Sequence, residues 1–215
     1  SFYGQLRFKG IQVLDLTPVF LKHRARPGGA LYCRQDSHWS GTACALAASE
    51  IGMELFATFD GRPRQAFTGD WEQVEIAGDL WTSLDEPRPE RERLRLRRVR
   101  AVGGGPVAPD PDSPVLLLGD SHCLVFHAGD DMLARGAGLP DQLALELGFP
   151  VDLAAVRGSG ATPARVNLLR RAQKDPQFWA RKQWVVWCFS AREFTESDGW
   201  RRVPLAPGSP KPESE

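Results

Sequence analysis

Long apolar runs and an excess of charge of one sign are both missing from this 215-residue sequence. No stretch approaches the roughly 20 apolar residues that a helix needs to cross a bilayer, which argues against a membrane-spanning segment. Lysine and arginine together number 27, as do aspartate and glutamate, so the formal net charge is zero. A balanced chain creates no overall field that attracts polyanions. We therefore expect neither nucleic acid nor an anionic membrane surface as a partner.

The cysteines have no CxxC spacing, which argues against a zinc knuckle. They are Cys33, Cys44, Cys123 and Cys188. Free cysteine is among the most buried residue types, so we expect buried thiols. A Cys33–Cys44 or a Cys123–Cys188 disulfide stays open as an alternative, because spacing alone does not determine the pairing.

A phosphate-binding loop and a recognisable metal-ligand pattern are also missing. The glycines of Gly103-Gly104-Gly105-Pro106 are not followed by the lysine and the Ser/Thr of a P-loop. His122 and His127, taken together with Asp36 and His38, match no standard ligand spacing. We therefore expect neither a cofactor nor a metal ion.

The length of the chain and the composition of its tail indicate one domain. A chain of 215 residues can bury one substantial core, and we expect a single domain over residues 1–205. Residues 206–215 are rich in proline, serine and glutamate, which is typical of a disordered tail. The chain begins at Ser1 without an initiator methionine or a signal peptide, so we expect a mature or trimmed chain. The cellular compartment stays open on this evidence.

What the sequence does contain is a set of apolar strands that alternate with helices. Val115 to Leu118 is an apolar run that ends at a glycine and predicts a strand buried on both faces. Further buried strands are predicted at Pro150–Val156 and at Gln183–Phe189, the latter because it is fully apolar after Gln183. Helices are predicted at Leu139–Leu147 and from Thr162 to Gln173. This alternation predicts an α/β fold, a parallel sheet flanked by helices.

The remaining patterns predict smaller elements around this sheet. Residues 11–16 and 30–34 are expected to be strands, and Thr17-Pro18 is expected to begin a helix. Ser40 is a plausible N-cap for a helix over Ala43–Phe56. Residues from about 60 to 102 form a small β-containing insertion, with strands expected at Glu72–Ile76 and Leu94–Val102. Cys123–Phe126 is expected to open a helix.

The chemistry-bearing residues stand at two places that are far apart in the chain. Gly119-Asp120-Ser121 follows the buried strand, at the carboxyl end where open α/β sheets bind their ligands. A serine hydroxyl needs a base to take its proton, and that base needs a partner that orients it. Asp36 and His38 are two residues apart, so both side chains leave the same face of an extended backbone. Taken together, the two motifs predict a nucleophilic serine.

These motifs also carry a family resemblance. Gly119-Asp120-Ser121 resembles the nucleophile block of SGNH-type esterases. Asp36-Ser37-His38-Trp39 precedes the serine, as in the alginate acetyltransferase proteins AlgX and AlgJ, whereas ordinary SGNH hydrolases carry their Asp-x-x-His near the C-terminus. Other stretches match as well: Asp15-Leu16-Thr17-Pro18, Gly78-Asp79-Leu80, Val185-Val186-Trp187 and Ala191-Arg192-Glu193-Phe194. The resemblance spans most of residues 11–203 and implies an SGNH-like fold.

The resemblance implies a role for each member of a Ser-His-Asp triad. Ser121 is the expected nucleophile, His38 the general base and Asp36 the partner that orients His38. His122 is expected to line the substrate pocket. Trp39 is either a stacking platform for a sugar or a residue that seals the core.

The resemblance is weakest at the oxyanion hole. SGNH enzymes take donors from the nucleophile's backbone N–H, from a glycine after the next strand and from an asparagine after the strand beyond. Gly158 or Gly160 fits the glycine position. At the asparagine position this sequence has Ser190 and Arg192 instead. Arg192 is therefore either an oxyanion donor or a structural ion-pair partner.

By this resemblance we expect O-acetylation of a bacterial polysaccharide through an acetyl-Ser121 intermediate. A membrane-bound acyltransferase is the expected donor-side partner, and the periplasm or cell envelope is the expected location. The oligomeric state stays open. Two alternatives remain: a carbohydrate acetylesterase, in which water accepts the acetyl group, and a non-catalytic polysaccharide-binding module on an SGNH scaffold.

Overall fold

The described part of the chain combines helices with two separate sheets. The structure is a computed structural model, and it describes residues 2–25, 29–84, 90–158, 161–195 and 199–205. The helices are α1 (Phe2–Phe8), α2 (Thr17–His23), α3 (Gly41–Phe56), α4 (Asp79–Thr82), α5 (Leu139–Leu147) and α6 (Ala161–Lys174). The strands are β1 (Phe67–Ile76), β2 (Glu92–Ala101), β3 (Val115–Gly119), β4 (Asp152–Ala155) and β5 (Trp184–Cys188). Short 3₁₀ turns span Ala57–Phe59, Ser121–Cys123, Asp130–Met132, Trp179–Arg181 and Ala191–Phe194.

A parallel sheet with the strand order β4-β3-β5 organises the fold. Its central strand β3 is buried along its whole length, because successive side chains enter two different cores. Val115 and Leu117 pack with residues of α3 and α5, whereas Leu116 and Leu118 pack with residues of α6. Helices therefore cover both faces of the sheet, which confirms the predicted α/β architecture. The carboxyl ends of the three strands share one edge of the sheet.

The predicted β-containing insertion is an antiparallel hairpin of β1 and β2, longer than expected at both strands. The pairing runs from Phe67 opposite Ala101 to Ile76 opposite Glu92. Apolar side chains of β2 are buried against the core that includes α3. Arginines of the hairpin lie beside carboxylates, in the pairs Arg93–Glu75, Arg97–Glu146, Arg98–Glu72 and Arg100–Asp70. The pairs Arg93–Glu75 and Arg100–Asp70 are exposed and contribute at most about 1 kcal/mol each, so the buried apolar face of β2 is the main contact that holds the hairpin in place.

Helix boundaries follow the signals in the sequence. Ser40 caps α3, since its hydroxyl accepts the backbone N–H of Ala43 at 3.3 Å. α2 begins at Thr17 with Pro18 in its first turn. α5 spans the predicted residues and is followed by Gly148. These helix predictions are confirmed.

Two segments that were expected to be strands are not strands. Residues 11–16 carry no helix or strand, and Ile11 and Leu14 stay exposed. In residues 30–34 the pairing is a single bridge, between Tyr32 and Trp39. Both predictions are wrong because an apolar segment makes a strand only where a neighbouring strand pairs with its backbone N–H and C=O groups.

Two expectations at the carboxyl edge of the sheet also need correction. The helix expected over Cys123–Phe126 is a 3₁₀ turn followed by other turns. Phe126 has a φ of 61°, which no α-helix accommodates. β5 lies where it was predicted but is only partly buried, and Val185 is 43% exposed. It is an edge strand, with β3 as its neighbour in the described sheet.

The burial of the cysteines agrees largely with the prediction. Cys33, Cys44 and Cys123 are buried as expected, Cys188 is partly exposed, and all are free. Among the described residues, no helix combines the length and the apolar character that crossing a membrane requires. The tail of residues 206–215 lies outside the described residues.

Candidate active site

Asp36 and His38 form a buried carboxylate–imidazole pair in the loop before α3. Oδ1 of Asp36 lies 2.6 Å from Nδ1 of His38 and accepts the backbone N–H of His38 at 3.0 Å. Oδ2 accepts the backbone N–H of Asp79 at 3.1 Å. Asp36 is 4% exposed and His38 is 7% exposed. Contact with the carboxylate places the ring proton on Nδ1, so Nε2 is left to accept a proton.

The carboxyl group of Asp36 is ionised despite its burial. Burial by itself raises its pKa, but the hydrogen bonds from the His38 ring and from the backbone N–H groups of Asp79 and His38 outweigh that effect. The net result is a pKa below the ordinary value. An ionised Asp36 can stabilise the imidazolium that forms when His38 takes up a proton.

Ser121 lies in the turn that follows β3, as predicted. The preceding Asp120 caps this turn, because its Oδ1 accepts the backbone N–H of His122 at 2.8 Å. Oδ2 of Asp120 accepts the backbone N–H of Ser190 at 3.0 Å and so joins the turn to the end of β5. Ser121 is 8% exposed. The turn thus holds the serine at the carboxyl edge of the central strand.

Contacts through His122 bring the two distant motifs together. The indole N–H of Trp39 donates to the backbone carbonyl of His122 at 3.0 Å. The ring centroids of His38 and His122 are 5.0 Å apart. His38 therefore lies beside the residue that follows Ser121. Within the described part of the chain, no hydrogen bond joins the Ser121 hydroxyl to the His38 ring, so their catalytic pairing stays a prediction.

A second Asp-x-His pair flanks the serine, which the sequence reasoning did not single out. Asp120 Oδ1 lies 3.3 Å from His122 Nδ1, and the side chain of His122 is 16% exposed. Burial raises the pKa of Asp120, but the His122 ring and the N–H groups of Ser190 and His122 lower it further than burial raises it. Asp120 is therefore a second buried carboxylate, and its anionic form is held by the turn and by the end of β5.

Asp79 is a further residue of the site whose role the sequence did not reveal. It donates its backbone N–H to Asp36, and its carboxylate accepts the backbone N–H and the hydroxyl of Ser37. One potential metal-ligand atom from each of Asp36, His38 and Asp79 lies within 4.8 Å of the other two. The carboxylate oxygens in this group already accept hydrogen bonds, so the group is a network that holds the loop. The sequence signal for Asp79 is the stretch Gly78-Asp79-Leu80, which is one of the stretches that resemble the family.

Gly78 lets this network form because it has no side chain. A Cβ at this position would lie 2.2 Å from the carbonyl oxygen of Gln35 and 2.4 Å from Cβ of Asp36. We expect Gly78→Ala to lower the free energy of unfolding by about 1–3 kcal/mol, the usual cost of overpacking. Urea denaturation measures this change.

Gly105→Ala is the matched control for that substitution. No described atom lies within 4 Å of a Cβ built at Gly105. The control is expected to change the free energy of unfolding by less than about 0.5 kcal/mol. Equal stability of the Gly78 and Gly105 variants would contradict the tight approach at Gly78.

The residues expected to form the oxyanion hole and to bind substrate differ in position and exposure. Gly158 follows β4 and Arg192 follows β5, so both stand after strands that end at the same edge as β3, and both are exposed. Gly160 lies outside the described residues. Trp39 is 5% exposed and packs in the main core, which agrees with the core-sealing alternative. Their contacts with a substrate stay predictions.

Comparison with known proteins decides the family. The family of the SGNH hydrolase-like domain of acetyltransferase AlgX matches residues 1–191. The chain belongs to this family. The predicted family is confirmed, whereas the roles that the resemblance implies for Ser121, His38 and Asp36 stay predictions.

Relatives of this AlgX-family chain carry the name probable alginate O-acetylase AlgJ. The protein from Pseudomonas syringae pv. tomato is 29% identical over 135 residues, which cover 57% of this chain and 34% of the relative. The protein from Pseudomonas aeruginosa is 26% identical over 204 residues, which cover 89% of this chain and 50% of the relative. The chain therefore spans between a third and a half of the length of these relatives.

Two solved structures share the fold of this AlgX-family chain. The O-acetyltransferase domain of Pseudomonas putida AlgJ has a TM-score of 0.68 at 23% identity, covering 92% of this chain and 66% of that one. Pseudomonas aeruginosa AlgX has a TM-score of 0.60 at 18% identity, covering 86% of this chain and 41% of that one. At these identities the likeness establishes the fold, and the chemistry depends on the site itself.

Proposed function

We propose that the chain is a serine-dependent O-acetyltransferase that acetylates a bacterial polysaccharide through an acetyl-Ser121 intermediate. The observation that carries this proposal is the buried Asp36–His38 pair held beside the Ser121 turn by the Trp39–His122 contact. Family membership and the names of the AlgJ relatives support the acetyl group and the polysaccharide.

The first half-reaction loads the acetyl group onto the serine. His38 Nε2 takes the proton from the Ser121 hydroxyl while the oxygen attacks the acetyl carbonyl of the donor. The bond between the acetyl group and the donor breaks, and the leaving group takes the proton from His38. Asp36 holds the ring and stabilises its transient positive charge. The site then contains acetyl-Ser121 and a neutral His38.

The second half-reaction reverses these proton transfers. A sugar hydroxyl gives its proton to His38 Nε2 and attacks the acetyl carbonyl on Ser121. The ester bond to the serine breaks, and the serine oxygen takes the proton back from His38. If water replaces the sugar hydroxyl, the same steps release acetate. Exclusion of water from the loaded site therefore decides between transfer and hydrolysis.

The negative charge that forms on the carbonyl oxygen needs hydrogen-bond donors. The backbone N–H of Ser121 is one candidate, and Gly158, Gly160 and Arg192 are the others. Loss of a single such donor costs about 10²–10³ in rate. The backbone N–H of Ser190, at the position where related enzymes carry asparagine, is already bound to Asp120.

A donor-side partner and a location complete the proposal. The family resemblance supports a membrane-bound acyltransferase as the source of acetyl groups and the periplasm or cell envelope as the place of action. Copurification of the chain with such an acyltransferase tests the first point, and fractionation of cells tests the second.

Direct detection of the acetylated serine tests the proposed function. The protein is incubated with 4-nitrophenyl acetate, quenched in acid, digested and analysed by mass spectrometry. We expect an acetyl group on Ser121 and its faster loss when an oligosaccharide acceptor is added, with acetylated sugar as the product. Release of acetate alone would favour the esterase. Absence of both acetyl-Ser121 and 4-nitrophenol release would leave only a binding module.

A further inference from the structure

Two cysteines meet at the junction between the nucleophile turn and β5, where Sγ of Cys123 lies 3.9 Å from the carbonyl oxygen of Cys188. Gly119 is paired in register with Cys188 across the parallel strands β3 and β5. Paired residues of neighbouring strands direct their side chains to the same face of a sheet, with strands about 4.8 Å apart. Cys188 therefore points to the face that a side chain at residue 119 would share.

The thiol of Cys123 fills the space that Gly119 leaves free. A Cβ built on Gly119 would lie 2.3 Å from Sγ of Cys123 and 2.5 Å from the carbonyl oxygen of Cys188. Sγ of Cys123 also donates to that same carbonyl, at 3.9 Å. Cys123 and Cys188 both pack in the core with Val115 and Leu117, which identifies the shared face. The register and the missing side chain thus bring the two thiols together.

We propose that Cys123 and Cys188 form a redox-sensitive pair that closes to a disulfide and ties the nucleophile turn to the end of β5. This inference goes beyond the proposed function and gives the site a covalent modification. The joined segments are the ones that already meet through the Asp120 carboxylate and the Ser190 N–H. Ser121 lies two residues before Cys123, so the link constrains the turn that holds it.

The environment of the pair determines how oxidation proceeds. Cys123 is fully buried, whereas Cys188 is partly exposed. The neighbouring Cys188 thiol, followed by burial, raises the pKa of Cys123 well above its ordinary value. A protonated thiol is a poor nucleophile, so Cys188 meets a disulfide oxidant first and Cys123 reacts second.

The reaction with oxidised glutathione is a balanced thiol–disulfide exchange. The thiolate of Cys188 attacks one glutathione sulfur, forms a mixed disulfide and releases one glutathione thiolate. The thiolate of Cys123 then attacks Sγ of Cys188, forms the Cys123–Cys188 bond and releases the second glutathione. The two protein thiols lose two protons to the released glutathione thiolates, and the two electrons reduce the glutathione disulfide.

Cys44 is a competitor for either thiol, because it packs in the same core. It lies on α3, is fully buried and faces the same core. A Cys44→Ser variant keeps the proposed pair intact and is therefore the matched control. Cys123→Ser and Cys188→Ser each remove one partner.

The experiment incubates the full chain with oxidised glutathione, blocks remaining thiols with iodoacetamide in denaturant and maps peptides without reduction. We expect a Cys123–Cys188 cross-linked peptide in the wild type and in Cys44→Ser. In Cys123→Ser we expect glutathione to stay on Cys188, whereas in Cys188→Ser we expect Cys123 to carry no glutathione and to be alkylated by iodoacetamide. Circular dichroism establishes that each variant is folded. The oxidised wild type should melt several degrees above its reduced form, because a cross-link restricts the unfolded chain.

Two results of the peptide mapping would overturn the proposed Cys123–Cys188 pair. Four alkylated cysteines in the oxidised wild type, or a cross-link that includes Cys44 or Cys33, would each refute it. The test is independent of catalysis, because Ser121→Ala retains all the thiols and should form the same cross-link. A failure of acetyl transfer and a failure of the thiol pair are therefore distinguishable.

Discussion

Replacing Ser121 by alanine is expected to lower the rate of acetyl transfer by about 10⁴-fold or more, the usual loss when a triad nucleophile is removed. The acetyl group is proposed to form an ester with the side-chain oxygen of Ser121, and alanine has no oxygen that can form this bond. Both release of 4-nitrophenol and acetylation of an oligosaccharide should fall. Stopped-flow measurement of the 4-nitrophenol burst gives the most direct result, because the burst reports formation of acetyl-Ser121.

Ser113→Ala is the matched control for the nucleophile. Ser113 is a buried serine just before β3, and its hydroxyl accepts the backbone N–H of Val115 at 3.3 Å. It lies at the opposite end of the strand from Ser121. Its removal should cost stability but leave the burst unchanged. An unchanged burst in Ser121→Ala would contradict the nucleophile assignment.

Replacing Asp36 by asparagine is expected to lower the same rate by about 10⁴-fold, as the corresponding change does in established Ser-His-Asp triads. The carboxylate serves His38 with Oδ1 and Asp79 with Oδ2, whereas an amide has one oxygen and one NH₂ group. If the amide oxygen stays with the Asp79 N–H, the NH₂ group faces His38 Nδ1. The ring then carries its proton on Nε2 and cannot accept one from Ser121.

Asp110→Asn is the matched control for this exchange. Asp110 makes the same local turn, since its Oδ1 accepts the N–H of Asp112 at 2.9 Å, and it lies before β3. The Asp110→Asn variant should keep the acetyl-transfer rate of the wild type. Equal activity of the Asp36 and Asp110 variants, measured with both the nitrophenyl ester and a sugar acceptor, would contradict the orienting role of Asp36.

The pH dependence of stability gives a second measure of Asp36. Its pKa is lower in the folded chain than its ordinary value of 3.8. Folding therefore gains stability from the ionised carboxylate above that ordinary pKa, and loses the gain as pH falls through the lowered value. Urea denaturation at neutral pH and in acid should show that the stability difference between wild type and Asp36→Asn shrinks as the solution is acidified.

The architecture could be predicted where local pattern and tertiary environment agree. β3 is the clearest case, because an unbroken apolar run has a stable place only between two covered faces. The segment of residues 11–16 shows the opposite situation: it is mostly apolar, yet within the described part of the chain it forms no strand. β5 lies at the predicted position, but its position at the edge of the sheet leaves it half-exposed. Adjacent strands and helices decide whether a segment becomes a strand and how deeply it is buried, and the local sequence pattern does not specify which elements lie adjacent.

The candidate site divides in the same way. Asp36 and His38 could be paired from their spacing, although the structure brings them together in a bend, where Oδ1 of Asp36 accepts the backbone N–H of His38, and not in extended backbone. Their contact with Asp79 joins positions 43 residues apart, and the bond from Ser190 to Asp120 joins positions 70 residues apart. Hydrogen bonds of this kind depend on how loops return to the sheet edge, and no local signal encodes them.

The sequence by itself indicated the parallel α/β architecture and the family, and it singled out Ser121, His38 and Asp36 as candidate residues, because apolar runs, short-range spacing and short motifs are local properties of a chain. Only the tertiary structure decided that His122 stands beside His38, that Gly78 admits the Asp79 contact, and that Cys123 occupies the space above Gly119. The first two are contacts between distant segments, and the third lies within the turn that follows β3. They follow from the packing of the carboxyl edge of the sheet, where the backbone approaches itself closely enough for single missing side chains to matter.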